Sequence, residues 1–184
     1  VFPVDTAPSL VAFTSEMNLL NNPLAESGIA VSTSEDIRWK RRDIKSVNLL
    51  AQCLAKQDAH SKGANEGWMV EDGFVTEGIT SSAYIIKDKK IVTRPLSNLI
   101  LPGIRRRTLI EIAEREGIEL EQRLFTVEEA LQADEAFISS ATTITLPVVS
   151  INGEKIADGT PGEITRKLRK LYIERLLEEA RKAE

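Results

Sequence analysis

One cysteine and one histidine are all that this chain of 184 residues offers to thiolate or imidazole chemistry. Cys53 alone cannot close an internal disulfide, which fits a reducing compartment, and its place inside an amphipathic stretch marks it as a small packing residue. His60 has no second histidine with which to share a zinc ion and no nucleophile elbow to serve. Zinc-assisted and serine-triad hydrolysis therefore lack their minimal residue sets, and no metal site is expected. Basic excess is missing as well. A formal charge of −4 and a pI near 5.3 give no electrostatic case for nucleic acid or an acidic membrane surface. No apolar run reaches the length of a membrane-spanning helix, and no signal-peptide pattern opens the chain. The glycines at 63, 67, 73 and 78 have neither phosphate-loop nor dinucleotide spacing. What is present, 42% hydrophobic and 28% charged residues, belongs to a folded globular chain.

The pattern of short elements reads as mixed α/β. Residues 1 to 27 are expected to be irregular, with one short strand over Leu10–Phe13, and Gly28–Thr33 alternates as a strand. Asp43 is placed to cap a helix running to Lys62, with Val47, Leu50, Ala51 and Leu54 inward and Gly63 as its stop. Short strands follow at Glu66–Val70, Phe74–Glu77, Ala83–Lys87 and Ile91–Thr93, with Asp88–Lys90 as a tight turn. Pro102 and Gly103 make Leu99–Ile104 a loop, after which Leu109, Ile112 and Ala113 form the inner face of a helix ended by Gly117. Beyond a strand at Glu119–Leu124, Thr126 and Glu129 form a capping box for a short helix. Strands at Glu135–Ser139 and Leu146–Ile151, an Asn152–Gly153 hairpin turn and a helix from Pro161 complete the chain. Many short strands and few helices disfavour a doubly wound sheet. A curled mixed sheet, a pseudo-barrel around helices, fits better, with residues 28–184 as one domain.

Chemistry-bearing residues are few. In the expected helix, Lys45 falls in the first turn, where the dipole and exposed N–H groups disfavour an ammonium and leave some amine nucleophilic; a solvated lysine is the alternative. Glu77 ends a strand ahead of Gly78 and the hydroxyls of Thr80, Ser81 and Ser82, as a ligand-facing carboxylate or as a surface group at a turn. The Leu101–Ile104 loop and the cluster Ser139, Ser140, Thr142, Thr143 are suited to hold a phosphate, or to cap. Arg105, Arg106 and Arg107 sit at a helix N-terminus, where a cation is misplaced unless an anion joins it; a solvated cluster is the alternative. Arg38 and Trp39 are placed to brace the lysine segment, and Arg41 and Arg42 read as surface residues.

The stretch DIRWKRRDIKSVNLLAQCLAKQDAHSKGANEGWMVEDGFVTEGITSSAYIIKDKKIVT, then LILPGIRRRTL, FTVEEALQADEAFISSATT and GTPGEITRKLRKLY, resembles in order the fold-type-IV pyridoxal-phosphate-dependent aminotransferases. The similarity is strongest to the D-amino acid transaminase branch, beside branched-chain aminotransferases, and runs from about residue 23 to about residue 173. The resemblance implies the cofactor-binding, C-terminal domain of that fold and transamination between a D-amino acid or branched-chain substrate and a 2-oxo acid. It implies pyridoxal 5′-phosphate as cofactor, with Lys45 as the lysine that carries it and moves the proton. Glu77 would bond the pyridine nitrogen and Leu101 would pack on the ring. Gly103, Ile104, Arg105, Ser140 and Ala141 would surround the phosphate, Arg38 would stand near the lysine and the phenolic oxygen, and Thr142 and Thr143 would lie on the substrate side.

This sequence departs from the family where Arg105 replaces a usual threonine and Ala141 another. Each lost hydroxyl would remove a bond of about 1.5–3 kcal/mol to a phosphate, leaving the cofactor weakly held unless the Arg105 guanidinium turns inward to offset the loss. Ser82 stands for a usual asparagine and Arg42 for a frequent cysteine. The chain opens VFPVDTAPSLVAFTSEM without an initiator methionine, so residues 1–27 are expected to be a linker from a missing N-terminal domain that completes the site. A homodimer in the cytoplasm is also implied. The alternatives are an aminodeoxychorismate lyase-type elimination and a non-catalytic fragment that keeps the fold.

Overall fold

A computed structural model describes residues 3–182. Nine strands form one mixed sheet, interspersed with helices: α1 (Leu24–Ser27), β1 (Ile29–Glu35), α2 (Leu50–Ser61), β2 (Glu66–Glu71), β3 (Phe74–Gly78), β4 (Ser82–Lys87), β5 (Lys90–Thr93), α3 (Ile104–Arg115), β6 (Leu120–Gln122), α4 (Val127–Leu131), β7 (Glu135–Ser140), β8 (Ile144–Ile151), β9 (Glu154–Lys155) and α5 (Glu163–Lys182). The spatial order is β3-β2-β1-β8-β7-β4-β5-β6, with β9 appended to β8. β1 runs parallel to both β2 and β8, and β5 parallel to β6, while the remaining pairs are antiparallel.

Three hairpins are set by local chemistry. Asp72–Gly73, Asp88–Lys89 and Asn152–Gly153 all have positive φ, the backbone that two-residue turns between right-twisted strands require. Asn152 also accepts from Thr33 N–H at 2.8 Å and donates to the Thr33 hydroxyl at 2.8 Å, which ties the last hairpin to β1. The sheet then curls until its two ends meet: Val75 N–H donates to the Phe125 carbonyl at 3.0 Å and Phe74 bridges to Thr126.

Alternation along the strands splits the core into two layers. Ala83 and Ile85 of β4 join Val31, Trp68, Val75, Ile138 and Val148 in one cluster, which Ala25 of α1 and Ala130 of α4 complete. Tyr84 and Ile86 point the other way, to Leu109, Ile112 and Ala113 of α3 and Leu168 and Tyr172 of α5. The long helices therefore flank the curl, and a third cluster seats Ala55 and Ala59 of α2 on Met69 and Ile79.

Several sequence expectations are corrected. No strand forms over Leu10–Phe13, whose large side chains stand in solvent without a pairing partner. α2 begins at Leu50 rather than near Asp43, and Asp43 binds Arg41 instead of capping it. Its inner face is Ala55 and Ala59, so Val47 and Leu50 are 97% and 69% exposed. Arg42 is buried at 4% exposure because it is drawn into an ion network described below. The capping box is half made: Thr126 accepts from Glu129 N–H at 3.1 Å, but the Glu129 carboxylate goes to Arg123.

Among the described residues, no helix is long and apolar enough to cross a membrane, and no group of three His, Cys, Asp or Glu side chains could hold a metal ion.

Candidate active site

A cleft of about 740 Å³ opens where β3, the segment between β1 and α2, the start of α3 and the end of β7 converge. Its wall includes Arg38, Lys45, Glu77, Leu101, Gly103, Ile104, Arg105, Ser140 and Ala141. Lys45 is exposed at the cleft and lies five residues ahead of α2, so the helix-terminus argument for its amine does not apply. Thr142 and Thr143 do not line the cleft; they stand beside Ser140, whose hydroxyl is 3.4 Å from Thr142 Oγ1 and 2.9 Å from Thr143 Oγ1.

Glu77 is the buried carboxylate of the wall, not a surface group. Arg38 Nη1 donates to its Oε1 at 2.5 Å, and the Leu101 N–H approaches both oxygens at 3.3 and 3.2 Å. Burial pushes the Glu77 carboxyl up from its ordinary value, with the charge and hydrogen bond of Arg38 pulling the other way. The same guanidinium grips Asp36 with two donors, Nε to Oδ1 at 2.9 Å and Nη2 to Oδ2 at 2.7 Å. Burial would raise Asp36, but the hydrogen bonds from Arg38 and Thr76 and the charges of Arg38 and Arg42 together hold it below its usual value.

Sequence reasoning missed the next layer. Arg42 Nη1 lies 2.9 Å from Glu71 Oε2 and 3.4 Å from Asp36 Oδ2, and Nη2 donates to the carbonyls of Asp36 and Arg38 at 3.4 and 3.3 Å. Lys40 joins it on Glu71, whose carboxyl is lowered to about 2 by the hydrogen bonds of Arg42 and Lys40. The segment is pinned further by Arg42 N–H on the Asn98 carbonyl at 2.8 Å and Asn98 Nδ2 on the Lys40 carbonyl at 2.7 Å. Helical periodicity over residues 43 to 49 loses to this network, because winding the segment would pull Arg42 from two carboxylates. The one sequence signal was the density of opposite charges from Asp36 to Asp43.

The far wall carries groups that suit an anion. α3 opens at Gly103 without a side-chain cap, so its first amides have no partner from a capping residue. Opposite it lie Ser140 and Ala141 at the end of β7. Ile144, the residue that restarts β8, has φ +61° while fully buried, a costly state for a β-branched side chain. Arg169 of α5 secures it by donating to the carbonyls on either side, Thr143 at 2.9 Å and Thr145 at 2.8 Å. Of the three consecutive arginines, Arg106 turns inward to Thr93, the Arg94 carbonyl and Gln122, and Arg107 is exposed.

Ser81 Oγ and Gln52 Oε1, both on the cleft wall, are buried without a hydrogen-bond partner. An amine, a buried carboxylate, an uncapped helix opening beside hydroxyls and two unpaired polar atoms make a set of donors and acceptors that fits a pyridine ring carrying a phosphate arm and a carbonyl.

The amino-transferase class IV family model matches residues 3–151. The chain is 40% identical over 157 residues to a D-alanine aminotransferase of Bacillus licheniformis, covering 85% of this chain and 56% of that protein. It is 45% identical over 161 residues to one of Staphylococcus epidermidis, covering 88% and 57%. Among solved structures it is similar to the PLP-form of the branched-chain amino acid aminotransferase of Thermobaculum terrenum, with TM-score 0.75 at 28% identity over 84% of this chain and 53% of that one. The branched-chain amino acid aminotransferase of Escherichia coli gives TM-score 0.72 at 26% identity over 83% and 53%. The chain thus spans little more than half the length of these relatives.

Proposed function

Because the chain belongs to the class IV aminotransferase family, we propose that it is the cofactor-holding part of a transaminase that uses pyridoxal 5′-phosphate to exchange an amino group between an amino acid and a 2-oxo acid. The observation that carries this reading is that Lys45 and Glu77 line one cleft together with Leu101 and the uncapped start of α3. The cofactor, when bound, supplies an electron sink for the charge left on a substrate carbon that has lost its proton. Lys45 Nζ is the base that takes that proton from the substrate α-carbon. Glu77 holds a proton at the ring nitrogen, and Arg38 keeps the carboxylate aimed while meeting its charge. Leu101 supplies an apolar face for the ring. The amides from Gly103 to Arg105 and the Ser140 hydroxyl receive the phosphate, and Thr142 and Thr143 act through Ser140.

The substrate is a D-amino acid. Supporting this, the D-alanine aminotransferases stand at 40% and 45% identity, against 28% and 26% for the branched-chain enzymes. The segment ahead of α1 leads from a further domain that covers the cleft, whereas α1 itself packs on this one, and the protein works as a cytoplasmic homodimer. Ile44, Val47, Leu49, Leu50 and Leu54, exposed at or near the cleft rim, support a covering body there.

The experiment is borohydride reduction of the protein carrying this chain after incubation with pyridoxal 5′-phosphate, followed by peptide mapping. A pyridoxyl label on Lys45, absent from Lys45→Ala, is expected together with D-alanine-dependent amination of a 2-oxo acid. Absence of a label at Lys45 would sink the reading. Pyruvate release without an amino acceptor would replace transamination by elimination.

A further inference from the structure

Arg105 lines the cleft as a half-buried cation. Arg38 and Arg42, on the same wall, each meet carboxylates, whereas Arg105 has none within ion-pair distance among the described residues. Its guanidinium rests on neutral groups: Nη2 donates to the Ala141 carbonyl at 3.3 Å, Nη1 to the Tyr172 hydroxyl at 3.2 Å, and Cζ lies 5.2 Å from the centre of the Tyr172 ring. It therefore spans from the opening of α3 to the turn after β7, the two structures that form the anion-suited wall.

This placement is electrostatically unfavourable on its own. A full positive charge sits in the first turn of a helix, where the dipole is already positive and no side chain caps the amides. On the facing strand end Ala141 carries no hydroxyl, and the Ser140 hydroxyl is shared with Thr143 at 2.9 Å. A cation without a carboxylate partner and an uncapped helix have one common remedy, a dianion between them.

The geometry points to Arg105 as the charge partner of the cofactor's phosphate, held ready on Tyr172 and the Ala141 carbonyl and transferring its donors to the phosphate oxygens on binding. This rests on the pyridoxal-phosphate reading above. The phosphate grip is then mainly electrostatic, and it is linked through Tyr172 to α5. The two contacts given up are with uncharged acceptors, so exchange for a dianion favours the bound arrangement.

The test compares binding of pyridoxal 5′-phosphate and of pyridoxal, which lacks the phosphate, to the cofactor-free protein over a series of salt concentrations. Arg105→Gln keeps amide donors for Ala141 and Tyr172 but removes the charge. It is expected to weaken pyridoxal 5′-phosphate binding about tenfold or more, to flatten its salt dependence, and to leave pyridoxal binding within about twofold. Arg105→Lys keeps the charge and is expected to keep the salt dependence. In the unsubstituted protein, salt weakens pyridoxal 5′-phosphate binding more than pyridoxal binding, a measurement independent of how any variant folds. Equal salt sensitivity of the two ligands, or an Arg105→Gln protein that binds pyridoxal 5′-phosphate like its parent, overturns the assignment while leaving the cofactor reading intact. Failure of the unsubstituted protein to bind either ligand overturns both.

Discussion

Arg38 bridges two buried carboxylates, holding Asp36 with two donors and Glu77 with a third at 2.5 Å, so that the segment after β1 and the wall strand β3 share one guanidinium. Both carboxylates are placed out of water by the fold, and each depends on the same cation.

Removing that cation leaves two buried charges facing one another. Arg38→Met is expected to destabilise the protein by about 3–5 kcal/mol. Adding Glu77→Gln to the methionine variant should return part of the loss. A double-mutant cycle from urea unfolding checks this, and strict additivity would contradict the shared-cation geometry.

Acid should weaken the molecule through Asp36 and Glu71. Both have folded pKa values below their unfolded ones, so the stability they contribute is complete above the usual carboxylate range and is lost as pH falls through the lowered values, for Glu71 down to about 2. Glu77 has the opposite sign. Its carboxyl is raised, so its favourable contribution is present below the unfolded pKa and is lost as pH rises through the folded one. Unfolding free energies measured across the acid range should therefore fall less steeply in Glu71→Gln than in the parent. The parent should also lose ground to Glu77→Gln as pH rises.

Arg42 carries more than its surface-like sequence context announces. Arg42→Ala should cost about 3 kcal/mol, since Glu71 and Asp36 lose a buried partner and two backbone carbonyls lose a donor. Denaturant midpoints test the value, and amide exchange should rise through residues 36–45 before it rises in the sheet.

The C-terminal helix is capped from another strand. Glu135 of β7 accepts from the Ile164 and Thr165 N–H groups, both at 2.8 Å, and from the Thr165 hydroxyl at 2.6 Å. Glu135→Ala is expected to lower stability by about 1–2 kcal/mol. Thermal unfolding measures the loss, and Gln should retain part of the effect.

Arg169→Leu should loosen the turn between β7 and β8. With both flanking carbonyls released, the strained Ile144 backbone loses a restraint on its relaxation. Hydrogen exchange in residues 141–145 should rise, and pyridoxal 5′-phosphate affinity should fall without change in exchange across β1 and β2. Unaltered exchange in the turn would refute the restraint.

Local chemistry made much of the fold readable. The hairpins at Asp88 and Asn152, the inner face of α3 and the Thr126 cap all follow from residues a few positions apart, and the structure has them. What failed depended on partners distant in sequence. The stretch from Asp43 to Leu49 has helical spacing, but Arg42 is held by Glu71 and Asn98, so the helix starts late and its expected inner face stays in water. Leu10–Phe13 has strand-like composition and no neighbour to pair with. At the site, Lys45 and Glu77 were nameable through family resemblance, and the structure sets both on one cleft. The roles of Arg42, Arg169 and Tyr172 were not, because they arise from contacts with Glu71, Thr143, Thr145 and Arg105, which lie far from them in sequence.

The meeting of Phe74 and Val75 with Phe125 and Thr126 has a further consequence. An open sheet of this length would offer its outermost strands as templates for addition of another chain, and here the terminal strands β3 and β6 are drawn toward one another across that short connection. Self-association through strand addition is thereby discouraged by the topology itself, while the apolar side chains exposed around α2 stand apart from any strand edge.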